Sequence, residues 1–175
     1  MTQLLLISDN HTEAGILHDV LTHNEDCDEA IHLGDSQFTY DDTELSRFVR
    51  VKGNTDFYPE FPAEEIVSIN GIRAFCAHGH VHQVNRTRDI LVNQAKMHQC
   101  DFAFYGHTHV ARYEEIDGVH VINPGSISQS RSRVEETYAV VTIDDETGKG
   151  HVEFKNRKHQ VIHEVQFELS RREKY

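Results

Sequence analysis

Apolar residues in this chain come in short, dense runs, each stopped by a polar cluster. Leu4 to Ile7 run directly into Ser8-Asp9-Asn10-His11. Such a run predicts a strand over Leu4 to Ser8, buried on both faces and paired in parallel. Ala30 to Leu33 repeats the pattern and ends at Gly34-Asp35; Phe48 to Lys52 repeats it again and ends at Gly53-Asn54. Between the first two runs, Ile16, Leu17, Val20 and Leu21 share one helical face, and Thr12 is expected to cap that helix. Strand, polar loop and helix or connection in alternation imply an α/β fold with its site at the carboxyl ends of the strands.

The rhythm changes after Pro62. Glu65 to Ile69 and Ile72 to Ala77 flank Asn70-Gly71, the residue pair that supplies two positive φ angles for a type I′ hairpin turn. Asn85 to His98 predicts a second helix, capped by Asn85 and buried through Ile90, Leu91 and Ala95. Strands are expected at Phe102 to Tyr105, Ala111 to Ile116 and Val119 to Ile122, the last two joined across Asp117-Gly118. Tyr138 to Ile143, Gly150 to Lys155 and Val161 to Phe167 form a closing antiparallel set. The expectation is one domain over residues 1–175 with two packed sheets, one mixed and one mainly antiparallel, and helices outside: a four-layer α/β/β/α sandwich.

Composition narrows the function. Lys plus Arg number 17 and Asp plus Glu 29, so the formal charge is 17 − 29 = −12. A surface of that sign repels nucleic acid and anionic lipid, though metal bound locally can reverse it for an anionic substrate. Cys27, Cys76 and Cys100 form neither a CxxC pair nor a disulfide framework, which suits a reducing compartment. The apolar run at Leu4 is too short for a signal peptide or a membrane span and has no basic leader. A cytoplasmic protein without membrane contact is expected.

Five segments carry candidate chemistry, each just after an expected strand: Asp9-Asn10-His11, Gly34-Asp35, Gly53-Asn54-Thr55-Asp56, His78-Gly79-His80 and Gly106-His107-Thr108-His109. Each alone is a common turn or capping feature. Together they offer oxygen and nitrogen donors suited to borderline divalent metals, with no thiolate. Strand ends in an α/β sheet converge in space. His107 and His109, two residues apart, are expected to project from one strand face.

In order and spacing this set resembles the calcineurin-like metallophosphoesterase family: DxH, GD, GN, H and GHxH in sequence. The short length and Asn123-Pro124-Gly125-Ser126 resemble its small bacterial and archaeal phosphodiesterase branch. The resemblance covers residues 4 to 126 by motif. It implies two divalent metal ions, manganese first, with nickel, iron, cobalt or zinc as alternatives, and a metal-bound hydroxide attacking a small phosphate ester. It also implies Asp9, His11, Asp35 and His109 on the first metal and Asp35, Asn54, His78 and His107 on the second, Asp35 bridging. Two metals about 3.5–4 Å apart need such a bridge to offset their repulsion. A homo-oligomer is implied by the resemblance alone.

The sequence departs from the family at Thr55, which stands where the family has a histidine thought to protonate the leaving group. A threonine hydroxyl cannot serve as that acid near neutral pH. His80 is the candidate substitute, and Asp56, which would have partnered the absent histidine, is left with a loop-forming role. Asn54 and Asp56 count with His80 among the catalytic candidates, Asn54 among the ligands as well. Asn123 and Ser126 read as loop-forming supports, Arg131 and Arg133 as solvated, and His18, His23 and His159 as surface residues. The alternative reading is a protein-interaction scaffold, as for the retromer subunit with this fold; the full donor set weighs against it.

Overall fold

The computed structural model describes residues 1–128 and 135–169; Arg131 and Arg133 lie outside them. The first sheet contains β1 (Thr2–Ile7), β2 (Glu29–His32), β3 (Phe48–Arg50), β9 (Thr137–Ile143), β10 (Lys149–Asn156) and β11 (Val161–Glu168), in the order β11-β10-β9-β1-β2-β3. The second contains β4 (Glu64–Ile69), β5 (Ile72–Ala77), β6 (Phe102–Phe104), β7 (Arg112–Ile116) and β8 (Val119–Asn123), in the order β4-β5-β6-β8-β7.

Side-chain alternation along β1 explains the layering. Leu4 and Leu6 face the second sheet, in a core with Ile31, Leu33, Cys76, Phe102, Phe104 and Ile122. Leu5 and Ile7 point the other way, onto Ile16, Leu17 and Val20 of helix α1 (Ile16–Thr22). On the outer face of the second sheet, Phe75, Ala77, Ala103 and Tyr105 pack on Leu91, Val92 and Ala95 of α2 (Asp89–Met97). The result is the expected four layers, with one helix on each outside. Each fully buried Leu, Ile or Phe contributes about 1.5–3 kcal/mol, much of it offset by chain entropy.

Both sheets are mixed, which corrects the expectation of one mainly antiparallel sheet. In the first, β1, β2 and β3 are parallel and β9 to β11 add antiparallel strands beyond β1. In the second, β5, β6 and β8 are parallel, with antiparallel β4 and β7 at the edges. The Asn70-Gly71 turn has φ of 52° and 79°, as the hairpin reading required. Both helix caps differ from expectation. Gly15, not Thr12, precedes α1, its N–H donating to Glu44 Oε1 at 2.7 Å. Arg88, not Asn85, precedes α2, and Ile90 on that helix faces solvent while Val92 is buried. All three cysteines are free and buried. Among the described residues no helix is long and apolar enough to cross a membrane.

Candidate metal centre

The two parallel triplets supply the site. Asp9 and His11 follow β1, Asp35 follows β2, Asn54 follows β3, His78 follows β5, and His107 and His109 follow β6. Five of these seven adopt left-handed backbone angles: Asp9 (φ 59°), His11 (41°), Asp35 (59°), His107 (69°) and His109 (62°). Such angles cost non-glycine residues about 1–2 kcal/mol each and collect where a site over-determines them. They also correct the expectation for His107 and His109. β6 ends at Phe104, so the pair is carried by a sharply turned loop and not by one strand face.

Asp9, His11, Asp35 and His109 form one group, each offering a ligand atom within 4.8 Å of the others. Asp9 is fully buried, and its Oδ2 accepts from the Ser8 hydroxyl at 2.6 Å and the His107 N–H at 3.3 Å. Its other oxygen, Oδ1, is buried without any hydrogen-bond partner. That Oδ1 lies 3.3 Å from His109 Nε2 and 3.7 Å from His11 Nε2, while the two imidazole nitrogens stand 3.5 Å apart. A polar oxygen buried without a hydrogen bond is costly, and a cation among these donors would relieve it.

Asn54, His78 and His107 gather beside this group. His78 Nε2 lies 3.2 Å from Asp35 Oδ2 and 3.0 Å from Asn54 Oδ1, and His107 Nδ1 lies 3.2 Å from the same amide oxygen. His78 Nδ1 donates to the Leu33 carbonyl at 2.7 Å, which aims Nε2 at the site. Burial disfavours a charged His78, but Asp35 and Asp9 outweigh it and raise its pKa. Burial likewise opposes ionised Asp35, yet His78 and the Thr55 N–H, which donates to Asp35 Oδ1 at 2.9 Å, hold that carboxyl far below its usual range. Two carboxylates, one amide and four imidazoles are a coherent donor set for borderline divalent ions.

Close approach, more than turning, explains two glycines. A Cβ on Gly53 would sit 2.0 Å from Asp35 Oδ1, and one on Gly106 would sit 2.2 Å from Ser8 Oγ.

Several residues hold these loops together. Asp56 Oδ2 accepts from the N–H groups of Asp35 (2.9 Å) and Gly53 (2.7 Å), and its Oδ1 from that of Gln37 (2.9 Å). Both of its oxygens are engaged with backbone, so Asp56 ties the Gly34-Asp35 loop to the Gly53-Asn54 loop; of the two roles the sequence offered, catalytic candidate and loop former, these bonds are those of a loop former. Asn123 donates to the Gly106 carbonyl (3.1 Å) and the Thr108 hydroxyl (2.9 Å), and Ser126 donates to the Asp9 carbonyl (2.8 Å). These are the loop supports expected of them. His32 escaped the sequence reading. It is buried in β2, with Nε2 2.8 Å from Asn10 Oδ1 and Nδ1 accepting the Gly34 N–H at 3.1 Å. Burial lowers its pKa to about 4, so it stays neutral and fixes the loop between Asp9 and His11. A histidine inside an apolar strand run was the available signal.

His80 does reach this region: its ring centroid is 5.4 Å from that of His78 and 6.2 Å from that of His107. Its Nδ1 is buried without a hydrogen-bond partner. Burial first, then His78 and His107, lower its pKa. Asn85 lies beside the site too, its amide nitrogen 3.1 Å from His107 Nε2.

The similarity of this chain to known proteins agrees with the geometry. Residues 2–146 match the model of the calcineurin-like phosphoesterase superfamily domain. A protein of Bacillus subtilis named "Probable metallophosphoesterase" is 33% identical over 147 residues, covering 82% of this chain and 85% of its own. A phosphodiesterase of Methanocaldococcus jannaschii is 42% identical over 59 residues, 34% of this chain and 32% of its own. The crystal structure of a conserved uncharacterized protein of Streptococcus pneumoniae, described as a phosphoesterase by prediction, superposes with a TM-score of 0.90 at 29% identity, over 95% of this chain and 97% of that one. The chain belongs to the calcineurin-like phosphoesterase superfamily.

Proposed function

We propose that the protein is a phosphodiesterase dependent on two divalent metal ions, manganese in the first instance. The observation that carries this reading is the buried Asp9 Oδ1, unpartnered at the centre of Asp9, His11, Asp35 and His109. These four residues would hold one ion. Asp35, Asn54, His78 and His107 would hold the other, with Asp35 shared. Bound there, the ions supply positive charge for the phosphoryl oxygens and acidify coordinated water.

The chain's own residues do the rest. Asp56 and Thr55 orient Asp35 through backbone bonds, and Asn123 and Ser126 hold the His107 and Asp9 loops. His80, facing His78 and His107, is the side chain proposed to protonate a departing alkoxide in place of the family histidine absent at Thr55. Aryl diesters, whose leaving groups need no proton, should depend least on His80. Cytoplasmic location and assembly into a homo-oligomer belong to the same reading.

The test is hydrolysis of bis(p-nitrophenyl) phosphate before and after chelation, with manganese added back, in the wild type and His107→Ala. Activity that needs manganese and is lost in the variant supports the proposal. Activity that survives both treatments sinks it, and a fully inert wild type with metal bound favours the scaffold.

A further inference from the structure

A second cluster of metal-ligating side chains lies apart from the strand-end site. Asp19, His23 and His159 each offer a ligand atom within 4.8 Å of the others. Asp19 and His23 are four residues apart on α1 and its C-cap, hence on one helix face. His159 comes from the turn between β10 and β11 and holds a left-handed angle, φ 65°, that a histidine adopts at a cost. Read from sequence as a surface residue, it has only 13% of its side chain exposed. Its Nε2 lies 3.1 Å from Asp19 Oδ2, and its Nδ1 lies 2.8 Å from the Tyr138 hydroxyl. The Tyr138 hydroxyl also accepts from Asn24 Nδ2 at 3.1 Å. His23 Nδ1 is 3.0 Å from the Asp19 carbonyl oxygen and 3.6 Å from Asp19 Oδ1.

We infer that Asp19, His23 and His159 form a second metal site, one that takes a single zinc-like ion and clamps helix α1 to the β10–β11 turn. Two imidazoles and a carboxylate are a ligand set that zinc uses, with water completing the shell. His159 Nδ1 is engaged with Tyr138, so His159 presents Nε2 to the ion, while the recorded His23 nitrogen beside the Asp19 carboxylate is Nδ1, 3.6 Å from Oδ1. A hydroxyl can donate or accept, so Tyr138 supports His159 in either state. Without metal, Tyr138 donates to Nδ1 and Nε2–H donates to Asp19. With metal, the ring takes the other tautomer: its single proton moves through solvent from Nε2 to Nδ1 and is donated to Tyr138, Nε2 gives its lone pair to the ion, and no net proton is released.

One movement is required. The rings of His23 and His159 are stacked, with centroids 3.6 Å apart and planes 10° apart, and the lone pairs of parallel rings do not converge. His23 has half of its side chain exposed and its Nδ1 bond lies within its own helix, so it is the ring that turns. His159, held by Tyr138, stays in place.

The experiment counts zinc by elemental analysis after dialysis against about 1 µM free zinc, a concentration that retains sites with a Kd of about 1 µM or tighter. Wild type, His23→Ala, His159→Gln and Asp35→Asn are compared, with a thermal melt of each. His23→Ala and His159→Gln should each retain one zinc fewer than wild type, with hydrolysis of the aryl diester unchanged. Zinc should still raise the Tm of Asp35→Asn, and that rise should vanish when His23→Ala is added. Because the count is a difference, it holds whatever the strand-end site binds. An equal zinc count in wild type and His23→Ala, whose altered side chain is half in solvent, overturns the inference.

Discussion

The two sheets contribute unlike chemistry to one site. The first sends out Asp9, His11, Asp35 and Asn54, every oxygen donor of the set together with one imidazole. The second sends out His78, His107 and His109, imidazoles only. Neither half makes a ligand shell. The acidic half alone would crowd two buried carboxylates, and the imidazole half alone would place nitrogens together with no charge to balance a cation. Contact between the halves is direct, through Asp35 with His78 and Asp9 with His109, and the core between the sheets sets its spacing. The site is therefore a property of how the sheets pack.

The largest way to break this arrangement is at the residue both halves use. Asp35→Asn should lower kcat/KM on aryl diesters by about 10⁴-fold, some 5.5 kcal/mol of transition-state stabilisation, while the protein stays folded by circular dichroism. Next in size is the packing itself. Phe104→Ala empties a fully buried position in the core between the sheets, and urea unfolding should show a loss of about 3–5 kcal/mol. Metal affinity should fall with it if sheet spacing sets ligand spacing; unchanged affinity would show that the loops hold the site unaided.

A smaller effect separates the proposed acid from the ligands. His80→Ala should lower kcat by about 10²-fold for alkyl diesters and much less for aryl ones, with metal content unchanged, and Thr55→His should narrow the gap between the two ester types. Equal losses for both types would remove His80 from proton transfer. Smaller still, Asp56→Asn leaves one of its atoms unable to accept a backbone N–H. It should weaken metal affinity by about 10–100-fold while activity largely returns at saturating metal.

The division between the sheets was partly legible in the sequence. Apolar runs ending in Asp9, Asp35, His78 and His107 marked strand ends, and strand ends of an α/β sheet meet in space, so the candidate ligands could be gathered from sequence. The layer order followed from the alternation of Leu4 and Leu6 with Leu5 and Ile7. Backbone angles were not legible. His107 and His109 read as strand neighbours because their spacing of two fits a strand, whereas the loop reaches the same end through two left-handed residues. Which loops Asp56 ties was not legible, because its partners are backbone amides, which carry no residue label. Ile90 and the two caps were missed because burial and capping on a short helix depend on which neighbours the sheets leave open. His32 shows the converse, a polar residue in an apolar run whose purpose appears only with Asn10 and Gly34 beside it.

The sharing of Asp35 between the halves is best tested by counting metal. Elemental analysis of manganese-loaded wild type, His109→Ala and Asp35→Ala, each dialysed against the same free-metal buffer, distinguishes a bridge from a private ligand. The account predicts two ions per chain in the wild type, one in His109→Ala and fewer than one in Asp35→Ala, since removing the bridge weakens both positions. Two ions retained by Asp35→Ala, or a wild type that binds only one, would contradict it.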